Sequence, residues 1–131
     1  MRGWLRKLLG DRGERRAARY LRGLGYRILA RQYANRFGEI DLIALDGERI
    51  VFVEVKTRTS DAAGLPVEAV DFRKQRQLTR VALAYLKRHG LLERPARFDV
   101  LALLWPNGAK SPEITHYQNA FEPVGFGQMF S

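Results

Sequence analysis

The pattern of hydrophobic and polar positions predicts an α/β protein with the element order α-β-β-β-α-β-β. Apolar residues three and four positions apart indicate two amphipathic helices, over residues 11–24 and about 71–89. Segments rich in alternating, β-branched and aromatic residues indicate strands. The predicted strands cover residues 26–33, 38–45, 49–58, 97–105 and 113–121. This order predicts a mixed central β-sheet flanked by helices, in a single domain of 131 residues.

Turn and capping residues mark the expected ends of these elements. Asp11 is expected to cap the first helix, and Asp46-Gly47 to form the hairpin turn between the second and third strands. Residues 1–10 are expected to form a basic amphipathic extension, residues 60–66 a loop and residues 122–131 a tail. The second helix is expected to bury an apolar stripe, which consists of Leu78, Val81, Ala82, Tyr85 and Leu86.

Composition and charge limit the classes of function that the chain can have. The chain has no cysteine, which excludes a disulfide scaffold, a thiol nucleophile and a zinc site built on thiolates. No apolar run approaches the roughly 18 residues of a membrane span, so we expect a cytoplasmic protein without membrane contact. The net charge of +9 lies in residues 1–36, which hold eleven basic and two acidic residues. This segment indicates a polyanionic partner, with solubility alone as the alternative.

Two acidic residues and a lysine on neighbouring predicted strands form a candidate metal site. Because side chains alternate between the faces of a strand, Glu54 and Lys56 share one face of the third strand. With the two-residue loop at Asp46-Gly47, Asp41 faces Phe52 and shares the face of Glu54. Diagonal neighbours lie about 7–8 Å apart, close enough for both carboxylates to bind one divalent ion. The alternative is a solvated edge hairpin on which these residues are ordinary surface charges.

Glu14 provides a third carboxylate, on the first predicted helix. It lies close to Leu21 on the helical wheel, on the apolar side, where a carboxylate needs a partner such as a metal ion. Asp11 and Glu14 also match a capping box, and both interpretations stay open. The arginines of this helix lie on the opposite side, and they fit a solvated face as well as a phosphate-binding surface. Arg58 and Lys74 are better placed to contact phosphates.

Other catalytic classes lack support in the sequence. It contains neither a glycine-rich phosphate loop of the known types nor a nucleophile elbow. The histidines are His89 and His116, and their spacing does not support a metal-binding or catalytic pair.

Two adjacent segments resemble the motifs of the YraN-like family of small bacterial proteins. The segments are Gly38-Glu39-Ile40-Asp41-Leu42-Ile43-Ala44 and Val51-Phe52-Val53-Glu54-Val55-Lys56-Thr57-Arg58. The resemblance extends over about residues 13–121. This family is similar in turn to archaeal Holliday-junction resolvases and to the wider restriction-endonuclease-like superfamily, which implies a restriction-endonuclease-like fold.

The resemblance also implies a metal site of the type Asp…(Asp/Glu)-x-Lys. Asp41 and Glu54 match the metal-binding acids, with the carbonyl of Val55 as a further ligand and Mg²⁺ or Mn²⁺ as the ion. Lys56 matches the catalytic lysine, and Glu14 matches the first-helix glutamate of the resolvases. The implied function is a metal-dependent endonuclease acting on DNA, with branched DNA as a candidate substrate and a homodimer as the expected assembly. The alternative is a catalytically silent nucleic-acid-binding or assembly module that retains the fold.

Overall fold

A computed structural model, which describes residues 2–59 and 70–124, shows a five-stranded mixed sheet with one helix against each face. The predicted element order and the mixed sheet are confirmed. The predicted loop at 60–66 and most of the predicted tail lie outside the described residues. The elements are α1 (Arg2–Gly23), β1 (Arg27–Asn35), β2 (Gly38–Asp46), β3 (Arg49–Arg58), α2 (Phe72–Arg88), β4 (Ala96–Leu104) and β5 (Glu113–Phe121).

The strands lie in the sheet in their order along the chain. β1 to β3 and β4 to β5 pair antiparallel, whereas β3 and β4 run parallel. A parallel pair needs a crossover connection, and α2 lies within the one between β3 and β4. β3, which carries Glu54 and Lys56, is therefore the central strand of the sheet.

Two hydrophobic clusters cover the two faces of this sheet. On one face, Ile43 and Phe52 pack with the predicted stripe of α2, which is buried as expected. On the other face, Val51 and Val53 pack with α1. The alternation along β3 thus follows the prediction, with odd-numbered valines toward α1 and Phe52 toward α2. No helix in the described part of the chain has the length and apolar content needed to cross a membrane.

The first helix differs from the prediction at its start. α1 begins at Arg2 and runs without a break through Asp11, so the assignment of Asp11 as its N-cap is wrong. The Asp11 carboxylate instead accepts a hydrogen bond from Gln32 Nε2 of β1, at 3.3 Å. Gly13 lets α1 approach β3 closely, because a Cβ at this position would collide with Thr57 Oγ1. Residues 2–10 therefore continue the helix instead of forming a separate turn.

The hairpin between β2 and β3 has a different register from the predicted one. Asp46 pairs with Arg49, so the loop residues are Gly47 and Glu48. Gly47 has φ +62°, which suits the first loop position of a type II′ turn and places the glycine first in the loop. Ile43 therefore faces Phe52, and the expectation that Asp41 faces Phe52 is wrong.

Candidate active site

The candidate site lies where the paired part of β2 and β3 ends. The pair Leu42 and Val53 is at the end of the ladder, and Asp41 comes just before Leu42 in β2. Its Oδ2 atom accepts a hydrogen bond of 2.7 Å from the backbone N–H of Val55. The side chain of Asp41 thus occupies the position of a strand carbonyl, and it holds the ends of the two strands in a fixed relation.

Glu54 is buried and Asp41 is partly buried. Glu54 is 6% exposed, and β3 is central, so the alternative of a solvated edge hairpin is wrong. Burial and the neighbouring Glu54, through its charge and a hydrogen bond, raise the pKa of Asp41 to about 7. The amide of Val55 and the charge of Lys56 act in the opposite direction and only partly offset this rise.

Two ammonium groups approach one oxygen of Glu54. Lys56 Nζ lies 3.6 Å and Lys74 Nζ 3.5 Å from Glu54 Oε2. Lys56 comes from β3 itself, whereas Lys74 lies in the first turn of α2. Asp71 fixes that turn as its N-cap, since its carboxylate accepts a 2.8 Å hydrogen bond from the backbone N–H of Lys74. The fold thus places Lys74 beside the candidate site rather than at a distance along the helix.

Glu14 and Arg58 line a cleft of about 740 Å³ next to this pair, together with Asp41 and Val55. Glu14 is 5% exposed and accepts a hydrogen bond of 3.1 Å from Arg31 Nε. Because α1 begins at Arg2, Glu14 lies inside the helix and the capping-box interpretation is wrong. Glu14 therefore has a charged partner and a place in the cleft.

Among the described residues, the oxygen donors placed to hold a metal ion are the Asp41 and Glu54 carboxylates and backbone carbonyls such as that of Val55. Within residues 2–59 and 70–124, no group of three or more His, Cys, Asp or Glu side chains is close enough to hold an ion. Glu14 is therefore not a third ligand in this arrangement. The two oxygen donors fit Mg²⁺, which is bound in proteins by one or two carboxylates and retains several waters. Burial, followed by the charge of Glu54, raises the pKa of Asp41, and a cation bound to both carboxylates would offset both effects.

A second polar cluster was not expected from the sequence. Asp99 is fully buried and accepts hydrogen bonds from Arg97 Nε (2.9 Å), His116 Nε2 (2.7 Å) and the Asn119 amide (2.9 Å). Burial alone raises the pKa of Asp99, but the hydrogen bonds from His116 and Arg97 outweigh it and hold that pKa below its ordinary value. An acid inside an otherwise apolar strand, two residues after an arginine, is the signal that could have indicated this cluster.

Comparisons with known proteins find relatives that match most of the chain. The model of "Uncharacterised protein family UPF0102" matches residues 13–103. The chain is 51% identical over 118 residues to a UPF0102 protein of Geobacter sulfurreducens, covering 88% of this chain and 90% of that protein. It is 49% identical over 116 residues to one of Geotalea uraniireducens (88% and 91% covered) and 45% identical over 116 residues to one of Pelotomaculum thermopropionicum (88% and 97% covered).

These matches confirm the resemblance to the YraN-like family. The further similarity to archaeal Holliday-junction resolvases stays a prediction that rests on the two strand motifs. The names of the relatives assign no activity, so the function is argued from the site.

Proposed function

The chain belongs to the uncharacterised protein family UPF0102, and from the geometry of its site we propose that it is a divalent-metal-dependent endonuclease acting on DNA. The observation that carries the proposal is the pair of the partly buried Asp41 and the buried Glu54, with Lys56 beside it, at the point where β2 and β3 separate. A close pair of like charges with a strongly shifted pKa is typical of functional sites. The same arrangement supports a restriction-endonuclease-like fold.

In this proposal, Asp41, Glu54 and the carbonyl of Val55 hold Mg²⁺ or Mn²⁺. The ion stabilises charge on the scissile phosphate and lowers the pKa of the attacking water. The amide of Val55 keeps the Asp41 carboxylate oriented, through the hydrogen bond to Oδ2. Lys56 leaves Glu54 to neutralise charge on the phosphate or to orient the water, or, once it has lost a proton and is a neutral amine, to deprotonate that water.

The cationic side chains around the pair are assigned to the substrate. Lys74 contacts Glu54 across the site, and Arg58 lines the adjoining cleft, so both are proposed to contact phosphates on either side of the cleaved bond. Glu14 is assigned to the same cleft, where it holds Arg31 at the edge. Branched DNA is the proposed substrate, in the cytoplasm, and a homodimer is the proposed assembly.

The test is cleavage by the pure protein of four-way-junction, flap, duplex and single-stranded DNA in Mg²⁺, Mn²⁺ or a chelator. Asp41→Asn should abolish metal-dependent cleavage and leave DNA affinity unchanged or slightly higher, because one carboxylate no longer repels phosphate. The matched control is Glu48→Gln, which removes one exposed carboxylate from the turn of the same hairpin. It should cleave like the wild type.

Two results would contradict the proposal. One is a wild-type protein that cleaves none of these substrates in either metal; retained DNA binding would then support the catalytically silent binding module. The other is equal activity in Asp41→Asn and the wild type, since the proposed ion would have lost a ligand without effect.

A further inference from the structure

A groove on the outer side of α1 is lined almost entirely by cations. Five arginines of this helix line it, namely Arg12, Arg15, Arg16, Arg19 and Arg22. Arg31 of β1 and Lys110 of the loop between β4 and β5 complete this arginine groove, which encloses about 480 Å³. We propose that the arginine groove binds the phosphate backbone of nucleic acid, as a site separate from the candidate active site.

The arrangement of these cations differs from that of an ordinary solvated helix face. They come from three separate segments, which are α1, β1 and the loop between β4 and β5, and none of the described residues lining the groove is acidic. Like charges brought together by folding repel each other at separations below the Debye length of about 8 Å. A polyanionic ligand removes this repulsion, whereas bulk solvation alone does not require the cations to converge.

Part of the groove is held in place before any ligand binds. The guanidinium of Arg12 lies 4.5 Å from the ring centroid of Trp105 and donates a hydrogen bond of 3.3 Å to the carbonyl of Lys110. Trp105 is itself 5% exposed, so the indole is a fixed platform and not a mobile surface group. A cation fixed in this way loses less conformational entropy when it binds phosphate.

The chemistry of the groove favours nucleic acid over a small anion. Arginine presents planar, forked donors that match phosphate oxygens. From Arg12 to Arg22 the helix extends about 15 Å at 1.5 Å per residue, which equals four to five base pairs at about 3.4 Å each. A row of this length fits a linear series of phosphates.

The chemistry of the arginine groove also favours nucleic acid over an anionic membrane as the ligand. Helices that lie on membranes bury an apolar face in the lipid. The apolar residues in the middle of α1, Ala17, Ala18 and Leu21, are instead packed against the sheet and at most 1% exposed. The residues of α1 that line the groove are all arginines.

Arg31 connects the arginine groove with the candidate active site. It lines the groove and also forms an ion pair with Glu14, which lines the cleft beside Asp41. A nucleic acid bound along α1 would therefore lead toward the cleft. The choice of nucleic acid as ligand rests on the proposed function, but binding in the groove needs neither Asp41 nor a metal ion.

The test measures binding of the full-length chain to a 20-base-pair duplex in chelator, as a function of salt. The triple variant Arg15→Gln, Arg19→Gln, Arg22→Gln removes three exposed groove cations, and glutamine keeps a good helix propensity. The matched control Lys87→Gln, Arg88→Gln, Arg94→Gln removes three exposed cations from the end of α2 and the loop that follows it, and α2 covers the face of the sheet opposite to α1. Melting temperatures verify that both variants fold.

The groove variant should lower the slope of log K against log salt by up to about 2.7, at about 0.9 for each lost phosphate contact. The control should leave the slope at the wild-type value. Equal losses in the two variants would show that only overall charge matters and would overturn the inference. So would wild-type binding to phosphatidylserine vesicles but not to the duplex.

Failure of this inference and failure of the proposed function give different results. If the nuclease proposal is wrong but the groove is correct, no variant cleaves DNA and only the groove variant loses salt-dependent binding. If the groove is wrong but the nuclease proposal is correct, the groove variant cleaves with an unchanged KM. If both are correct, the groove variant has a raised KM and Asp41→Asn retains the wild-type salt slope.

Discussion

At the scale of single residues, Asp41 and Asp99 are both withdrawn from water, yet their neighbours shift their pKa values in opposite directions. Asp99 has three hydrogen-bond donors, one of them the guanidinium of Arg97, and its pKa is lowered. Asp41 has one backbone donor and the carboxylate of Glu54 beside it, and its pKa is raised to about 7. The first environment stabilises the anion, whereas the second favours the protonated acid.

The raised pKa of Asp41 predicts that Asp41→Asn stabilises the metal-free protein. Between about pH 4 and pH 7 the folded chain retains a proton that the unfolded chain has released, so wild-type stability falls as pH rises. The loss is at most about 1.4 kcal/mol per pH unit. Asparagine does not titrate and keeps an oxygen to accept from the Val55 amide.

Thermal unfolding in chelator from pH 4 to pH 8 checks this prediction. The variant should melt above the wild type at pH 8, and the difference should shrink toward pH 4. A difference that does not depend on pH would show that the charge of Asp41 is not the cause.

The buried cluster around Asp99 predicts the opposite effect for Asp99→Asn. The change leaves Arg97, whose side chain is 11% exposed, without its buried counter-charge and should cost about 3–5 kcal/mol of unfolding free energy. The control Asp46→Asn removes the other carboxylate bound to Arg97. Because the side chain of Asp46 is 41% exposed, this change should cost less than about 1 kcal/mol of unfolding free energy.

Urea unfolding at pH 7 measures both changes. Because the folded pKa of Asp99 is lowered, its contribution is present above the ordinary value of 3.8 and is lost as the pH falls through the folded pKa. The gap between Asp99→Asn and the wild type should therefore narrow below about pH 4. Similar costs for the two variants would contradict the assigned difference in burial.

At the scale of elements, the close contact between α1 and β3 depends on a glycine. Gly10 and Gly13 both lie inside α1, but only Gly13 has a neighbour, Thr57, that a Cβ would meet. Gly10→Ala should stabilise the protein by up to about 1 kcal/mol through helix propensity. Gly13→Ala should destabilise it by about 1–3 kcal/mol in spite of the same gain, because the interface is overpacked.

Urea unfolding of the two variants checks this contrast, and Thr57→Ala should restore most of the loss in the double variant. A stabilising Gly13→Ala would mean that α1 can move away from β3 without cost. It would then also mean that the cleft between them is not held at a fixed width.

The same elements show how far the sequence predicts the fold. β3 and β5 begin and end at the predicted residues, because alternation and turn residues are local signals. Asp11 resembles an N-cap locally, but the close approach allowed by Gly13 and the contact with Gln32 are tertiary features. The observed pairing of β2 with β3 differs from the predicted register because Gly47 is the first residue of the loop, not the second. The twist of the paired strands favours a positive φ at this position, and the Asp-Gly pair alone does not show which loop position the glycine takes.

The candidate site, like the fold, can be predicted from the sequence only where it depends on local signals. Asp41, Glu54 and Lys56 lie on adjacent strands, where parity alone places them near each other despite the wrong register. The pairs Arg31–Glu14 and His116–Asp99 each join two different elements, α1 with β1 and β4 with β5. No periodicity within one element indicates such pairs, because they depend on how the helices and outer strands pack.

At the scale of the whole molecule, cations surround a buried acidic pair. Lys74 and Arg58 lie beside the pair, and the arginine groove lies along α1. This distribution of positive charge attracts a polyanion over a long range, while the Asp41 and Glu54 carboxylates form a local negative site. The proposed divalent ion and the proposed phosphate backbone would therefore bind next to each other, and the melting temperature of the protein should rise when the ion binds.

We expect Mn²⁺ to raise the melting temperature of the wild-type protein. A ligand at 100 times its Kd stabilises the native state by about 2.7 kcal/mol, since it binds the folded chain alone. Asp41→Asn should lose this shift, because the ion loses one of its two carboxylates. Lys56→Ala should keep or increase it, because it removes a competing cation 3.6 Å from Glu54 and no ligand, although cleavage should be lost. An equal Mn²⁺ shift in Asp41→Asn and the wild type would place the ion elsewhere in the molecule, and Asp41 would then have no role as a ligand.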